Sequence, residues 1–568
     1  MPSVNLCLAT CSPEICNNGL DDDGDGLFDC LDPDCDCSGC DGEQTRFWYF
    51  GEGAGLDFLN DPPTLLSDGQ TFSREASSVA TDMMGNLLFY TDASSVYGRT
   101  HLVMPNGNNL DGHASTTQTL ILPQPGSPWR FFVFTPNSFD NLGSGKGLSY
   151  SVVDMSLNGS LGDVVSIQKN IELVPQNQFT EKITATRHCN GTDWWILVKE
   201  RNNNNFRAYP LTAAGLGTPV ISSVGTPGTP ATSNVIGALK FNPGGNKVIN
   251  TLFHTGGFDL FDFDSNTGLL SNPVSLVDPV AMGGAYGVEF SANGKLAYLS
   301  NLSAPSHIWQ FDLNAGDAAA ILQSAVLLAE FQNEYRFGQL QRASNGKIYV
   351  TNTFPLQFTN SLGIIHQPEV PGTGCLYQQE GLAIAPGGAN LGLPSFPQDF
   401  LPQRLFADII GSDSLCSFPG SLSFSLDISD RCALDSVRWT LIGPGSIVSQ
   451  SDEGISINFD QAGMTTLVAR AFSACAGAVD TLRIHVFENN TPVLNLGPDV
   501  QTCDNGVEVL DAGPGFQQYR WNDGSTEPTL TAFFPGAYWV DVWDACGNHQ
   551  SDTIHISVLP ATVLDLGA

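Results

Sequence analysis

The chain has 568 residues, and its 58 acidic against 23 basic side chains give a formal net charge of -35. So acidic a balance argues against nucleic acid and anionic membrane surfaces as partners, and no apolar run approaches the roughly 18 residues of a membrane-spanning helix. Apolar residues at 42% and charged residues at 14% mark a globular chain, long enough for about four domains.

The first 44 residues form a Cys-rich acidic segment. Asp21, Asp23, Asp25, Gly26, Asp29 and Asp32 follow the spacing of an EF-hand-type loop. In such a loop carboxylates at positions 1, 3 and 5 share one side of a tight turn, and position 6 needs Gly. Position 7 supplies a backbone carbonyl, here Leu27, and Asp29 and Asp32 fill positions 9 and 12. Clustered carboxylates repel one another unless a hard cation lies between them, so Ca2+ is the expected ligand, held by Asp21, Asp23, Asp25, Leu27, Asp29 and Asp32. Seven of the 14 cysteines, Cys7, Cys11, Cys16, Cys30, Cys35, Cys37 and Cys40, fall here. With no His in the first 40 residues, carboxylates interleaved with the cysteines, and spacings that do not make two CxxC pairs, they read as a disulfide framework rather than a zinc site. Seven is odd, so at least one is free or pairs outside the segment.

From residue 45 to 400 a Gly-containing turn followed by an apolar strand recurs. The copies are Met84–Asp92, Asn190–Val198, Asn242–Thr251, Asn293–Asn301 and Asn345–Asn352, with a looser one at Pro125–Thr135. Their spacing, mostly near 50 residues, is the period of propeller blades, and the span predicts about seven. Phe258–Gly268 and Ile308–Gly316 read as a second strand type in neighbouring blades, and Asp317–Phe331 as an insertion or a long strand pair. Residues 386–404, rich in Pro, Gly and Leu, read as a boundary.

Two repeated modules come next, 405–488 and 490–560. In the first, Gly411 and Asp413 precede Cys416, then come Trp439, Cys475, Asp480-Thr481 and His485. In the second, Gly497 and Asp499 precede Cys503, then Trp521, Cys546, Asp552-Thr553 and His555. The order Cys, Trp, Cys predicts immunoglobulin-like β-sandwiches, each with an intersheet disulfide across a buried Trp. The candidates are Cys416, Cys475, Cys503 and Cys546; Cys432 has no counterpart. Val563–Ala568 repeat Val493–Pro498 of the second module, so 561–568 are expected to open a third module of a longer chain. The fold class is thus all-β: a small calcium-loop segment, a propeller and two sandwiches. Met1 is followed by neither a basic region nor a long apolar run, so an export signal, if one exists, lies outside this sequence.

No HExxH, GxSxG, GxxxxGK or CxxCH motif is present. His101 and His113 lie in loop-rich sequence, where hydrogen-bonded loop residues are the rule. Glu181, Arg187, His188 and Asp193 cluster in sequence and are the best enzyme-like candidates, although ordinary hydrogen bonding at a blade edge explains them equally well.

The acidic segment Glu14–Cys35, the propeller stretches Trp48–Phe58, Val103–Gln118, Leu148–Val164 and Tyr286–Asn301, and the two Cys-Trp-Cys modules together resemble large secreted surface proteins of the Bacteroidota, the gliding-motility-associated and type IX secretion class. The acidic segment is also similar to thrombospondin type 3 calcium loops. The resemblance implies PKD or immunoglobulin-like repeats, export to the cell surface of a Gram-negative bacterium, and a C-terminal sorting domain that this sequence does not contain. The resulting expectation is a non-catalytic extracellular protein for adhesion or ligand binding, its partner a surface glycan or protein. Alternatives are a polysaccharide-active propeller enzyme and a purely structural stalk.

Overall fold

Six of the glycines in the recurring turns, Gly85, Gly126, Gly191, Gly245, Gly294 and Gly346, adopt φ between 65° and 78°. This left-handed conformation is open to Gly at no steric cost, and it joins the first and second strands of an antiparallel sheet in each case. The computed structural model describes residues 43–559 except for 83–84, 230–233, 279, 333, 355–356, 402–405, 417–418, 429–433, 474–475, 488–491, 504–506 and 545. The expected calcium ligands Asp21, Asp23, Asp25, Leu27, Asp29 and Asp32 lie outside the described residues, as do Cys432, Cys475 and residues 561–568. The chain divides into two compact units, the first holding residues up to Ala407 and the second most of the residues beyond it.

In the first unit seven antiparallel sheets succeed one another in sequence, within 47–66, 78–98, 120–174, 183–223, 239–277, 285–331 and 336–383. The first strands of neighbouring sheets run side by side, as Ile183–Arg187 does with Leu239–Phe241 and Ala285–Phe290 does with Arg336–Arg342. The fold is a seven-sheet β-propeller. The recurring strand of the sequence is the second of each blade from the second to the seventh, and Gly257–Asp264 and Ser306–Asp312 are matching third strands.

Strand alternation builds the core. Successive side chains point to opposite faces, so Val248 packs with Phe241 and Phe261 toward the fourth sheet, while its neighbour Ile249 packs with Phe258 and Phe290 toward the sixth. Likewise Ala297 and Leu299 face the fifth sheet, whereas Leu296 and Tyr298 face the seventh with Phe337 and Val350. Full burial of each such side chain stabilises the fold by about 1.5–3 kcal/mol. The stretch 317–331 resolves into a short helix, Ala318–Gln323, whose N-cap Asp317 accepts a bond from the Ala320 N–H, and then an outer strand, Val326–Phe331.

Of residues 386–404, read from sequence as a boundary, 386–401 belong to the propeller, in keeping with its expected end near residue 400. Glu52 and Gly388 exchange two backbone hydrogen bonds of 2.8 and 3.1 Å; Leu391 and Gly392 donate to the Arg74 carbonyl, and Ser395 donates to that of Ser77. The segment thereby ties the last sheet to the first two. Gly392 is required there, since a Cβ would stand 1.6 Å from the Glu75 carbonyl oxygen.

The second unit holds most of two strand-rich modules. The first has sheets of four and four strands, the second of four and two. In the second module both sheets contribute to one core, with Leu510 and Leu530 packed against Val540, Ile554 and Trp521. The repeated residues play repeated parts. Asp480 accepts the Ile409 N–H at 2.7 Å, and Asp552 that of Leu496 at 2.8 Å. The indole N–H of Trp439 donates to the Ser451 carbonyl, that of Trp521 to the Glu527 carbonyl, each at 2.9 Å.

The disulfide pairing departs from the expectation of one bridge inside each module. Cys416 is bonded to Cys546 across 130 residues, with Cα atoms 5.5 Å apart, well within the span a disulfide needs. Cys503 is exposed with a free thiol. The order Cys, Trp, Cys is blind to which cysteines lie close in space, and here the partner comes from the neighbouring module. Cys189 of the propeller is also disulfide-bonded.

Candidate functional site

The axis of the propeller is filled by its own side chains. Lys240 donates to Glu289 at 2.8 Å and to the Leu340 carbonyl and Gln341. Gln398 of the closing segment donates to Glu289 at 2.8 Å and accepts from Arg342 at 2.9 Å. Glu289 is fully buried and Lys240 nearly so, so their charges need this set of partners to offset desolvation. The cavity left beside Gln118, Gln339, Ser395 and Phe396 is about 10 Å³, too small for an organic ligand.

The enzyme-like candidates of the sequence are split by the strand they share. Glu181 stands just before Ile183–Arg187 and Arg187 ends it; six residues of extended chain put them about 20 Å apart, at opposite ends of the blade. His188 and Asp193 belong to the turn at the Arg187 end: the His188 N–H donates to the Asp193 carbonyl, and Nδ1 accepts from Asn190. His113 is held in a turn through Ser115. His101 bridges Tyr90 and Asp68, each at 3.2 Å.

At the Glu181 end lies a group of acids that sequence distance hides. Glu181 is buried, and its carboxylate accepts from the N–H and hydroxyl of Thr117, both at 2.8 Å, and from the Phe139 N–H. Glu75 accepts from the Tyr286 hydroxyl at 2.7 Å. Glu75 is half-buried as a residue, and burial of its carboxyl is the largest cause pushing its pKa up to about 8, ahead of repulsion by Glu181. Burial likewise pushes Glu181 up to about 7, against the three bonds it accepts. The next residue, Lys182, is enclosed and bonded to Asn250 and the Thr251 carbonyl; burial brings its pKa down to about 7. These groups are perturbed because they are shut in, which is the structural source of such shifts as well as a functional one.

The Arg187 end is open. A cleft of about 770 Å³ runs between the second, third and fourth sheets, with Gln44, Trp129, Arg99, Arg187, Trp194 and Phe400 among its walls. The loop Pro123–Trp129 forms one side, and Trp129 is 56% exposed. Trp194 is buried and meets Phe400 edge to face at 5.3 Å, while the Arg187 guanidinium lies over the Trp194 ring at 4.0 Å. Burial lowers the Arg187 pKa, with the Asp399 carboxylate pulling the other way. A largely apolar cleft of a few hundred to about 1,000 Å³ with a few fixed polar groups is the usual form of a ligand site. Residues from 44 to 400 meet here, so no local motif announces it.

No protein-family model matches the chain, and no curated protein sequence does. Solved structures similar to it include a protein from Bacteroides uniformis ATCC 8492 described as a proposed 6-phosphogluconolactonase (13% identity, 61% of this chain and 98% of that one, TM-score 0.40). Others are the periplasmic gluconolactonase PpgL of Pseudomonas aeruginosa (13% identity, 54% and 94%, TM-score 0.30) and the β-propeller domain of Myceliophteria thermophila Cps50 (10% identity, 54% and 93%, TM-score 0.34). At these identities and TM-scores the likenesses carry no argument about what this chain does, and the propeller rests on the seven sheets described above.

Proposed function

We propose that this chain is a non-catalytic ligand-binding protein of the cell exterior, with the cleft beside Trp129, Trp194 and Arg187 as its binding site. One observation carries the reading: the axis, where a propeller enzyme would gather its acids and bases, is packed with Lys240, Glu289, Gln398 and Phe396, whereas the roomy cleft lies to one side. The disulfide Cys416–Cys546 supports an oxidising compartment. Calcium on Asp21, Asp23, Asp25, Leu27, Asp29 and Asp32 fits the same setting, as a structural clasp on a segment too short to bury a core. Surface adhesion, through a glycan or protein ligand, is the role in keeping with a multi-module chain of the Bacteroidota class it resembles.

Binding and turnover separate this reading from that of a polysaccharide-active enzyme. The full chain is applied to arrays of surface polysaccharides and proteins, and the soluble fraction is analysed for released oligosaccharides. Saturable binding that Trp129→Ala weakens, with no released product, is expected; product release that scales with protein concentration would overturn it. For the clasp, limited proteolysis with and without a calcium chelator is expected to cut before residue 45 only when calcium is removed. Equal cutting in both conditions would sink the calcium assignment.

A further inference from the structure

Two arginines, Arg99 and Arg187, line one cleft in a chain whose acidic side chains outnumber its basic ones by 58 to 23. Arg187 is half-buried, and its side-chain hydrogen bonds use one nitrogen only: Nη1 reaches the Gly191 and Thr192 carbonyls, both at 3.5 Å. A guanidinium carries five N–H donors in a fixed fork. Nε and Nη2 of Arg187, a residue of the cleft wall, have no hydrogen-bond partner among the described residues; the Asp399 carboxylate acts on the charge through space. Arg99 is exposed and spends one nitrogen on the Ser160 carbonyl at 2.8 Å. The carboxylate in the cleft wall, Asp82, already accepts from the Asn86 N–H and side-chain amide, at 2.8 and 3.0 Å. Asp399, beside Arg187, accepts the backbone N–H of that residue at 3.1 Å.

Resting on the reading of the cleft as the binding site, we infer that its ligand is an organic anion: an acidic group on a flat, largely apolar body, the acid held by Arg187 and the body laid along Trp129, with Arg99 adding a second positive charge to the cleft wall. The guanidinium fork matches a planar carboxylate or a sulfonate in two-point contact. The aromatic walls and the volume suit a ring rather than a bare ion, because small inorganic anions would leave most of the apolar wall wet. The stacking of Arg187 on Trp194 fixes the fork in direction before any ligand arrives, which reduces the ordering that binding must impose.

The test uses a matched probe pair, 8-anilinonaphthalene-1-sulfonate and its uncharged counterpart N-phenyl-1-naphthylamine, titrated into the full chain and followed by probe fluorescence. The sulfonate is expected to bind about tenfold or more tightly than the neutral probe, the factor that one charge-assisted hydrogen bond supplies. Arg187→Gln is expected to remove most of this preference by weakening the sulfonate alone, and Arg187→Lys to restore part of it. Arg99→Gln, at an exposed position, repeats the test with no risk to folding. Trp129→Ala is expected to weaken both probes. Far-UV circular dichroism and melting temperature accompany every variant. Equal affinity of the two probes, or a preference that survives both arginine changes, overturns the anion assignment and leaves an apolar binding cleft. Binding of neither probe, or of both unchanged in Trp129→Ala, overturns the cleft reading itself.

Discussion

The strand Ile183–Arg187 ends in two different worlds. Before it, Glu181 is enclosed and accepts three hydrogen bonds from Thr117 and Phe139; at its far end, Arg187 borders an open cleft with donors to spare. Both residues have displaced pKa values, and in both burial is the largest cause. What separates them is what surrounds the charge. Glu181 has its lone pairs filled by the fold, so its shift records confinement. Arg187 is stacked on Trp194 and drawn by Asp399, yet two of its nitrogens have no hydrogen-bond partner among the described residues, and it lines a cleft. A perturbed pKa points to function only when geometry leaves the group something to do.

The heaviest blow to the enclosed end comes from its backbone. Gly392→Ala places a methyl 1.6 Å from the Glu75 carbonyl oxygen, and neither backbone can retreat without giving up the bonds from Leu391 and Gly392 to Arg74 that tie the closing segment to the second sheet. The expected loss is about 3 kcal/mol or more, in the range of overpacking and lost closure combined. It is read from the chemical denaturation midpoint of the first transition. A variant as stable as the parent would mean that the closing segment contributes little.

A smaller effect separates the charges of the enclosed end by sign. Glu75 and Glu181 have pKa values raised above the ordinary carboxyl value of 4.5 to about 8 and about 7. Their favourable contribution is complete below pH 4.5 and is lost as pH rises through those values. Lys182 is lowered from 10.5 to about 7, so its contribution is complete above pH 10.5 and is lost as pH falls through 7. Relative to the parent, Glu75→Gln should gain on the order of 1 to 2 kcal/mol between pH 5 and pH 8.5, after allowance for the solvent that reaches the residue. Lys182→Met should show the opposite trend between pH 6 and pH 9. Parallel stability curves for parent and variants would remove the shifts as a description of this end.

Much of the frame was legible and the sites were not. The turn glycines needed φ values that only Gly adopts freely, so Gly85, Gly191, Gly245, Gly294 and Gly346 marked blades two and four to seven at their true spacing. The repeated Asp480 and Asp552 marked repeated modules, because each accepts a backbone N–H from the opening stretch of its module. The boundary read at 386–404 was only partly right: Pro and Gly suggest a break, but residues 386–401 bond to segments some 300 residues away, as Ser78 does to the Ser395 carbonyl across 317 positions. The cleft depends on the same kind of distance, since Trp129, Arg187 and Phe400 share no local pattern. Sequence proximity failed in the reverse sense for Glu181 and Arg187, where a straight strand carries neighbours apart. The pairing of Cys416 with Cys546 was hidden for the first reason, contact between modules rather than within one.

The smallest expected effect is the one that sharpens the contrast most. If Arg187 is kept for a ligand and not for the fold, Arg187→Gln should cost little stability. Its two 3.5 Å bonds are long, and exposed or half-buried cation–π contacts such as that on Trp194 contribute about 0.5–1 kcal/mol. The backbone bond to Asp399 survives the substitution. Partial relief of a desolvated charge offsets part of the loss, so the net change should stay under about 1 kcal/mol in urea denaturation. A loss of about 3 kcal/mol, equal to that from Gly392→Ala, would place Arg187 with Glu181 as a structural charge and make the two ends of the strand alike.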